Sequence, residues 1–577
     1  MSAESRLRVV LCWHMHQPQY RDLISGDYRL PWTYLHAIKD YTDMAAHLEA
    51  VPQARAVVNF APVLLEQIDD YARQIHGFLH DGVAIRDPML AALVSAALPA
   101  DSESRLHLIR NALRVNRQRI VARFPDFEGL VELGDWLTAH PSACAYIGDH
   151  FVADIVVWYH LGWLGESVRR KEQRVQRLMQ KGRGFTLHDR RELLQVIGEQ
   201  MGDVIARYRR LAETGRVELS VTPYAHPILP LLLDLGVARE AMPDVRLPLL
   251  DHYPDGAARA RWHVDRGKAV FQHYFGFVPQ GCWPAEGGVS VAALEMLAAA
   301  GFRWTASGEG VLRNSLPKPA PAANGHVEEN NGQATPPCLH RVYQVRDIPI
   351  RCFFRDDGLS DLIGFTYSDW HADDAVANLI VHLENIAEAC RDAPGAVVSI
   401  IMDGENAWEH YPENGKYFLS ALYERLSQHP KLELTTFSAC LDGGATAVSL
   451  PGITAGSWVY GTFSTWIGEA DKNRGWEMLG DAKRAFDAAV STHRLSGAKL
   501  EAAELQLAIC EGSDWFWWFG DYNPADTVSD FDSLFRLHLA NLYHMIGEAP
   551  PQYLSQAFTH GGGQPQHGGV MRTGKRS

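Results

Sequence analysis

No stretch of this sequence stays apolar for the roughly 18 residues that a membrane-crossing helix needs, so neither a transmembrane segment nor a membrane partner is expected. The charged start, Met1 to Arg8, leads directly into Val9-Val10-Leu11-Cys12-Trp13, too short for a signal-peptide core and without a small-residue cleavage site. That run reads as the first strand. Paired cysteines are missing as well: the eight present (Cys12, Cys144, Cys282, Cys338, Cys352, Cys390, Cys440 and Cys510) are scattered, without the spacing of a zinc site or a disulfide framework. A reducing, cytoplasmic location is the expectation. Basic residues are in deficit, 54 against 69 acidic ones, and the formal net charge of -15 disfavours nucleic acid or an anionic surface as partner. A neutral or cationic ligand is easier to accommodate. Internal repeats do not stand out, and oligomeric state is not legible.

What is present is an ordinary globular composition, 46% hydrophobic and 21% charged over 577 residues, enough for one large domain and a smaller one. The stretch that organises the chain is Ile400-Ile401-Met402-Asp403-Gly404-Glu405-Asn406-Ala407-Trp408-Glu409. An apolar run from Ala396 to Met402 reads as a buried strand that stops on acids instead of turn residues. Carboxylates at the C-terminal end of a strand sit where parallel α/β folds gather catalytic side chains. A lone Asp403 would read equally well as a helix N-cap.

Taken in order, the first strand is followed by His14-Met15-His16-Gln17-Pro18. Two histidines two residues apart point the same way, toward a metal, toward sugar hydroxyls, or as a structural pair. A second strand is expected at Val57 to Phe60, and residues 63–213 read as a helical insertion, with Leu193, Leu194, Ile197, Val204 and Ile205 forming one amphipathic stripe. Strand character returns in Gly215 to Thr222, where Glu218 needs a polar cleft or a basic partner. The Pro-rich loop beyond it carries His226, as a ligand contact or a loop hydrogen-bonder. Phe277 to Ala306 reads as a βαβ unit, with Ser290 capping its helix and Glu286 on the loop after its first strand. Trp283, three residues before Glu286, is either a sugar-stacking wall that desolvates the acid or core packing.

Residues 317–337, rich in Pro, Ala, Gly and Asn, read as a mobile surface insertion. A helix from about Asp373 to Ala393 leads to the strand ending at Asp403. Beyond Leu450 comes an aromatic and polar loop, Gly456 to Asp471, then helices at about 473–496 and 498–512 and a cluster of Trp515, Trp517 and Trp518. The domain expectation is a catalytic unit over 1–445, a helical unit over 446–557 and a disordered tail over 558–577.

Glu286 and Asp403 each stand at a strand end, and each is followed by glycine. Glycoside hydrolysis needs two carboxyl groups across the scissile bond, about 5–5.5 Å apart for a retaining mechanism, and tryptophans supply faces for pyranose rings. The sequence resembles glycoside hydrolase family 57, the second α-amylase family. His14-Met15-His16-Gln17-Pro18, Gly215-Arg216-Val217-Glu218-Leu219, Trp283-Pro284-Ala285-Glu286, Asp403-Gly404-Glu405-Asn406 and Ser464-Thr465-Trp466-Ile467-Gly468-Glu469 are similar to its five motifs, in order. One departure is Pro284-Ala285, where many members carry Leu-Pro; it alters the wall beside the acid.

The resemblance implies a distorted (β/α)₇ barrel, a C-terminal helical domain completing the cleft, and retaining action on α-1,4-glucans or maltooligosaccharides without a required cofactor or metal. It implies Glu286 as nucleophile and Asp403 as acid/base, with His14, His16, Glu218, Trp283, Trp408 and Trp466 lining the sugar subsites. Asp403 must start protonated, so Glu286 and apolar walls are expected to raise its pKa. An amylase-type hydrolase is favoured, with a 4-α-glucanotransferase or branching enzyme as the alternative, since only the acceptor differs. Other classes fit fragments of the pattern. A metal-dependent mannosidase or deacetylase would use His14 and His16, with His76 and His80 as a second pair at helical spacing; a glucan-binding protein would keep the fold without turnover.

Overall fold

Ten strands form around one closed ring in the computed structural model, which describes residues 6–316, 339–393, 395–563 and Met571. They are β1 (Leu7–Met15), β2 (Ala56–Phe60), β3 (Val217–Val221), β4 (Gly281–Cys282), β5 (Trp304–Gly308), β6 (Val342–Val345), β7 (Arg351–Arg355), β8 (Val397–Asp403), β9 (Leu432–Thr435) and β10 (Ala447–Leu450). Parallel pairing runs β1, β2, β3, β4, β5, β7, β8 and back to β1, so seven strands close a barrel. The remaining three are accessories: β9 lies beside the first half of β1, and β6 pairs antiparallel with β7 and carries β10.

The period of two in each strand decides what enters the barrel. In β1, Val9, Leu11, Trp13 and Met15 pack outward in the large core, while Val10 and Cys12 join Val57, Trp304, Phe353 and Ile401 in the inner one. His14 continues the inward phase of β1. In β8 the outward residues are Val398, Ile400 and Met402, so Val397, Ile401 and then Asp403 follow the inward phase. The register pairs His14 with Asp403. Both polar groups therefore stand at the C-terminal mouth, above an apolar plug.

Between β2 and β3 the chain is helical, from Pro62–Asp81 through Leu187–Glu213. The last of these starts on a capping box between Thr186 and Asp189, which satisfies orphan N–H groups at the helix start. After β10 come the helices Ala470–Ser491, Gly497–Cys510, Asp514–Trp518 and Ala525–Met545, the last not anticipated from the sequence. Between β10 and these helices, the loop from Gly456 lies on the β4–β5 connection through a paired bridge with Val289 (2.9 and 3.1 Å). Among the described residues no helix is long and apolar enough to cross a membrane.

The expected insertion at 317–337 lies outside the described residues, as do 564–570 and 572–577 of the expected tail. The start of that tail is held in place. Phe558 donates its N–H to Asp532, and Gly562 and Gly563 donate theirs to the Asn523 carbonyl.

Candidate active site

A cavity of about 290 Å³ opens at the C-terminal ends of the barrel strands, with both Glu286 and Asp403 in its wall. Their strands, β4 and β8, lie on opposite sides of the seven-strand ring. The two carboxyl groups thus face one space from across the mouth. Four further acids, Glu405, Glu409, Asp514 and Asp530, line the same cavity, together with the aromatic faces of Trp32, Trp458, Trp517, Trp518 and Phe531.

Glu286 sits in a one-turn 3₁₀ segment, Ala285–Gly287, with φ +57° and ψ +23°, a left-handed conformation that costs a non-glycine residue energy. Gly287 continues in that region at φ +60°, and a Cβ there would stand 2.8 Å from the Trp283 ring. The strained turn is gripped by Trp458. Its backbone N–H donates to the Glu286 carbonyl (2.9 Å) and its indole N–H to Glu286 Oε2 (2.8 Å). Trp458 itself is held between the edge of Trp283 (5.2 Å between centroids) and the Arg355 guanidinium (5.4 Å).

Asp403 ends β8 and accepts a hydrogen bond from Asn406 Nδ2 (2.9 Å); its side chain caps no helix. Burial pushes its carboxyl up to about 6, against the opposing pull of Asn406, His16 and Arg355, and the nearby Asp514 carboxylate adds to the rise. The expected rise is present, with burial as its main cause and the Asp514 carboxylate as a lesser one. Gly404 is required here because its backbone N–H reaches the His14 carbonyl (2.7 Å) and a Cβ would meet Met15 Sδ at 2.1 Å. Glu405, two residues on, is buried, and its carboxyl is pushed well up by that burial, with Asp403 and Asp40 adding. It accepts from Gln17 Nε2 (3.2 Å) and the His16 N–H (3.4 Å), which ties the exit of β1 to the turn after β8.

Three imidazoles cluster beside the two acids, with His14 paired in register with Asp403 and His226 Nδ1 4.0 Å from Glu286 Oε1. His14 Nδ1 lies 2.7 Å from Asn59 Oδ1, and the Asn59 amide is oriented by donating to Ser220. His14 therefore carries its proton on Nδ1. Burial, then His16, pushes its pKa down to about 3, so Nε2 is bare and accepts from His226 Nε2–H at 3.0 Å. His226 is likewise held neutral by burial and by His16 and His14, and its Nδ1 accepts from the Ser513 hydroxyl (2.8 Å). His16 stacks on His226 at 3.8 Å and 15°.

One nitrogen from each ring lies within 4.8 Å of the others, which raises the question of a shared metal ion. A metal needs lone pairs that lie in the ring planes and converge on one point. Here the planes are within 17° of parallel, two nitrogens meet head-on through a hydrogen bond, and the third ring lies face-on. As arranged, the cluster fits a hydrogen-bonded stack better than a metal centre. His76 and His80 stack on an exposed stretch of the helix Pro62–Asp81 and are not part of this cluster.

Of the residues singled out from the sequence, Glu286, Asp403, His14 and His16 line the cavity and the other four do not. Glu218 is inward but deep, four residues before Thr222 and so roughly 13 Å below the mouth at strand rise. It accepts from Trp304 Nε1 (2.6 Å) and from the Ser438 N–H (2.9 Å), which makes it part of the barrel floor. Trp283, Trp408 and Trp466 are fully buried supports: behind Trp458, beneath the Gly404 carbonyl (3.0 Å), and against Trp517 (6.0 Å). Sequence reasoning passed over Trp458, Arg355 and Asp514. The available signals were a tryptophan in a glycine-bounded loop, an arginine ending an apolar strand, and an acid at the head of Trp515 to Trp518.

The chain matches the model of glycosyl hydrolase family 57 over residues 10–447. Its fold is similar to that of a GH57 branching enzyme from Thermococcus kodakaraensis, with TM-score 0.55 and 16% identity, covering 94% of this chain and 90% of that one. A GH57-type branching enzyme from Pyrococcus horikoshii gives TM-score 0.55 and 16% identity, covering 93% and 88%. An α-amylase from Thermotoga maritima gives 0.54 and 14%, covering 94% and 93%. At such identities these likenesses bear on the fold alone.

Proposed function

The chain belongs to glycosyl hydrolase family 57, and from that premise we propose that it cleaves α-1,4-glucans with retention, Glu286 acting as nucleophile and Asp403 as general acid/base. The observation that carries this reading is that the two carboxyl groups enter one cavity from opposite sides of the barrel in unlike environments. Glu286 accepts an indole N–H, which favours the carboxylate; Asp403 is raised to about 6, which favours the acid. Two carboxyl groups with divided roles are what a double displacement needs.

In the first step Glu286 attacks the anomeric carbon as the bond to the leaving oxygen breaks, and the Asp403 proton passes to that oxygen. In the second, ionised Asp403 takes a proton from the incoming hydroxyl, which displaces Glu286 and restores both groups. His14 and His16 contact the sugar in this reading. Trp283, Trp408 and Trp466 act by holding the residues that touch it. The cavity suits a neutral, hydroxyl-rich chain: its carboxylates accept from sugar hydroxyls and its indole faces cover pyranose rings.

The aromatic walls beyond the two acids favour one second reading. Trp32, Trp517, Trp518 and Phe531 could hold a sugar acceptor and exclude water, making the enzyme a 4-α-glucanotransferase or branching enzyme. Maltoheptaose with and without excess glucose separates the two. Shorter chains with growing reducing ends mean a hydrolase, whereas longer and shorter chains together mean a transferase. Glu286→Gln and Asp403→Asn are each expected to lose about 10²–10⁴-fold in turnover while keeping the wild-type circular dichroism spectrum. A wild-type rate in either variant would remove that residue from the mechanism.

A further inference from the structure

Ser513 and Asp514 come from the far end of the chain, yet they touch two of the three stacked imidazoles. The Ser513 N–H donates to the His226 carbonyl (2.9 Å), and Ser513 Oγ lies 2.8 Å from His226 Nδ1. Asp514 Oδ1 lies 2.7 Å from His16 Nε2, across a sequence separation of 498 residues. Both members of this pair are nearly closed off from solvent, with side chains 11% and 14% exposed, and both line the cavity with Glu286 and Asp403. The other ring nitrogen, His16 Nδ1, is buried without a hydrogen-bond partner.

These contacts restrict His16 in two ways. A carboxylate can only accept, so Nε2 must donate, which fixes where the ring proton sits whether the imidazole is neutral or charged. The stack on His226 then fixes the ring plane. Neither contact is supplied by β1, whose last residue precedes His16. Without Asp514 the ring could turn about its own axis and offer either nitrogen to the cavity. We propose that Asp514 is a positioning residue for the glucan reaction, fixing the ring and proton of His16 beside the reacting carboxyl groups; this rests on the function proposed above.

A double-mutant cycle on maltoheptaose turnover tests it. Asp514→Ala and His16→Ala are each expected to lower kcat about 10–100-fold, the scale of a misplaced active-site group. If Asp514 acts through His16, the double variant falls no further than about 2-fold below the worse single one. Asp514→Asn keeps an oxygen acceptor in place and is expected to stay within about 5-fold of the wild type. Should Asp514→Ala not accumulate in folded form by circular dichroism, Asp514→Leu, similar in shape and without an acceptor, takes its place. Additive losses, an Asp514→Ala enzyme within about 2-fold of wild type, or an Asn variant as poor as the Ala variant would each overturn the assignment. An inactive wild type overturns the glucan reading itself, whereas full activity in Glu286→Gln and Asp403→Asn overturns the two-carboxylate mechanism and leaves the glucan substrate standing. An active wild type with additive losses overturns the Asp514 assignment alone.

Discussion

At position 403 a carboxyl that titrates near 3.8 when solvated is pushed up to about 6, chiefly by burial. The native state therefore holds its proton more tightly than the unfolded chain does. The stability this contributes is complete below about 3.8 and is lost as pH rises through about 6, where the buried group ionises. Asp403→Asn, which cannot ionise, is accordingly expected to melt above the wild type at pH 8. The gap should close toward pH 4, where the wild-type carboxyl is protonated. Thermal melts of both proteins across that range measure it, and a constant gap would show that Asp403 does not titrate in the folded state. That an acid ends this strand is legible in the run Ala396 to Met402; the charges around it are not, because His16, Arg355 and Asp514 come from other elements. The same limit explains Glu218. Its strand is evident in sequence, but its depth below the mouth follows from register with β2, which local pattern does not carry.

Among the elements, the helix Gly256–Phe275 and the end of the helix Gly497–Cys510 meet through a buried polar knot. Glu511 accepts from Tyr253 (2.6 Å), Arg259 (2.8 Å) and His263 (2.8 Å). Burial alone would raise the Glu511 carboxyl, but Arg259 and His263 overcome it and hold it down to about 2. This contribution to stability is present above 4.5, the solvated value, and is lost as pH falls toward about 2. Glu511→Gln leaves Arg259 buried with its charge unpaired, and a loss of about 3–5 kcal/mol is expected, read as a lower melting temperature and urea midpoint at pH 7. An unchanged midpoint would mean that water or another acceptor replaces the carboxylate. Because Ser513 and Asp514 follow this knot directly, it also sets where they meet His226 and His16. Long amphipathic helices such as Leu187–Glu213 were legible through their apolar stripe, whereas β9 and β10, four residues each, are too short for a period to show.

For the molecule as a whole, the barrel and the helices after it share one cavity: Asp403 and His14 come from strands, Trp458 from the loop after β10, and Asp514, Trp517 and Trp518 from the last third of the helices. A chain ended after Leu450 keeps all ten strands but loses every one of those later contributions. It is expected to show no turnover of maltoheptaose and, if it folds, a lower melting temperature, since the outward core of the barrel would be left uncovered. Wild-type turnover from that fragment would mean that the later residues are dispensable. By itself the sequence determined the strand ends, the two acids on them and the helical character of 63–213, because apolar runs, a period of two or 3.6 and capping residues are local properties. Only the tertiary structure decided which aromatics reach the cavity, how deep Glu218 lies, which charges surround Asp403 and which carboxylate holds His16. Burial and hydrogen bonding at those points are sums over residues hundreds of positions apart, brought together when the seventh strand closes the ring.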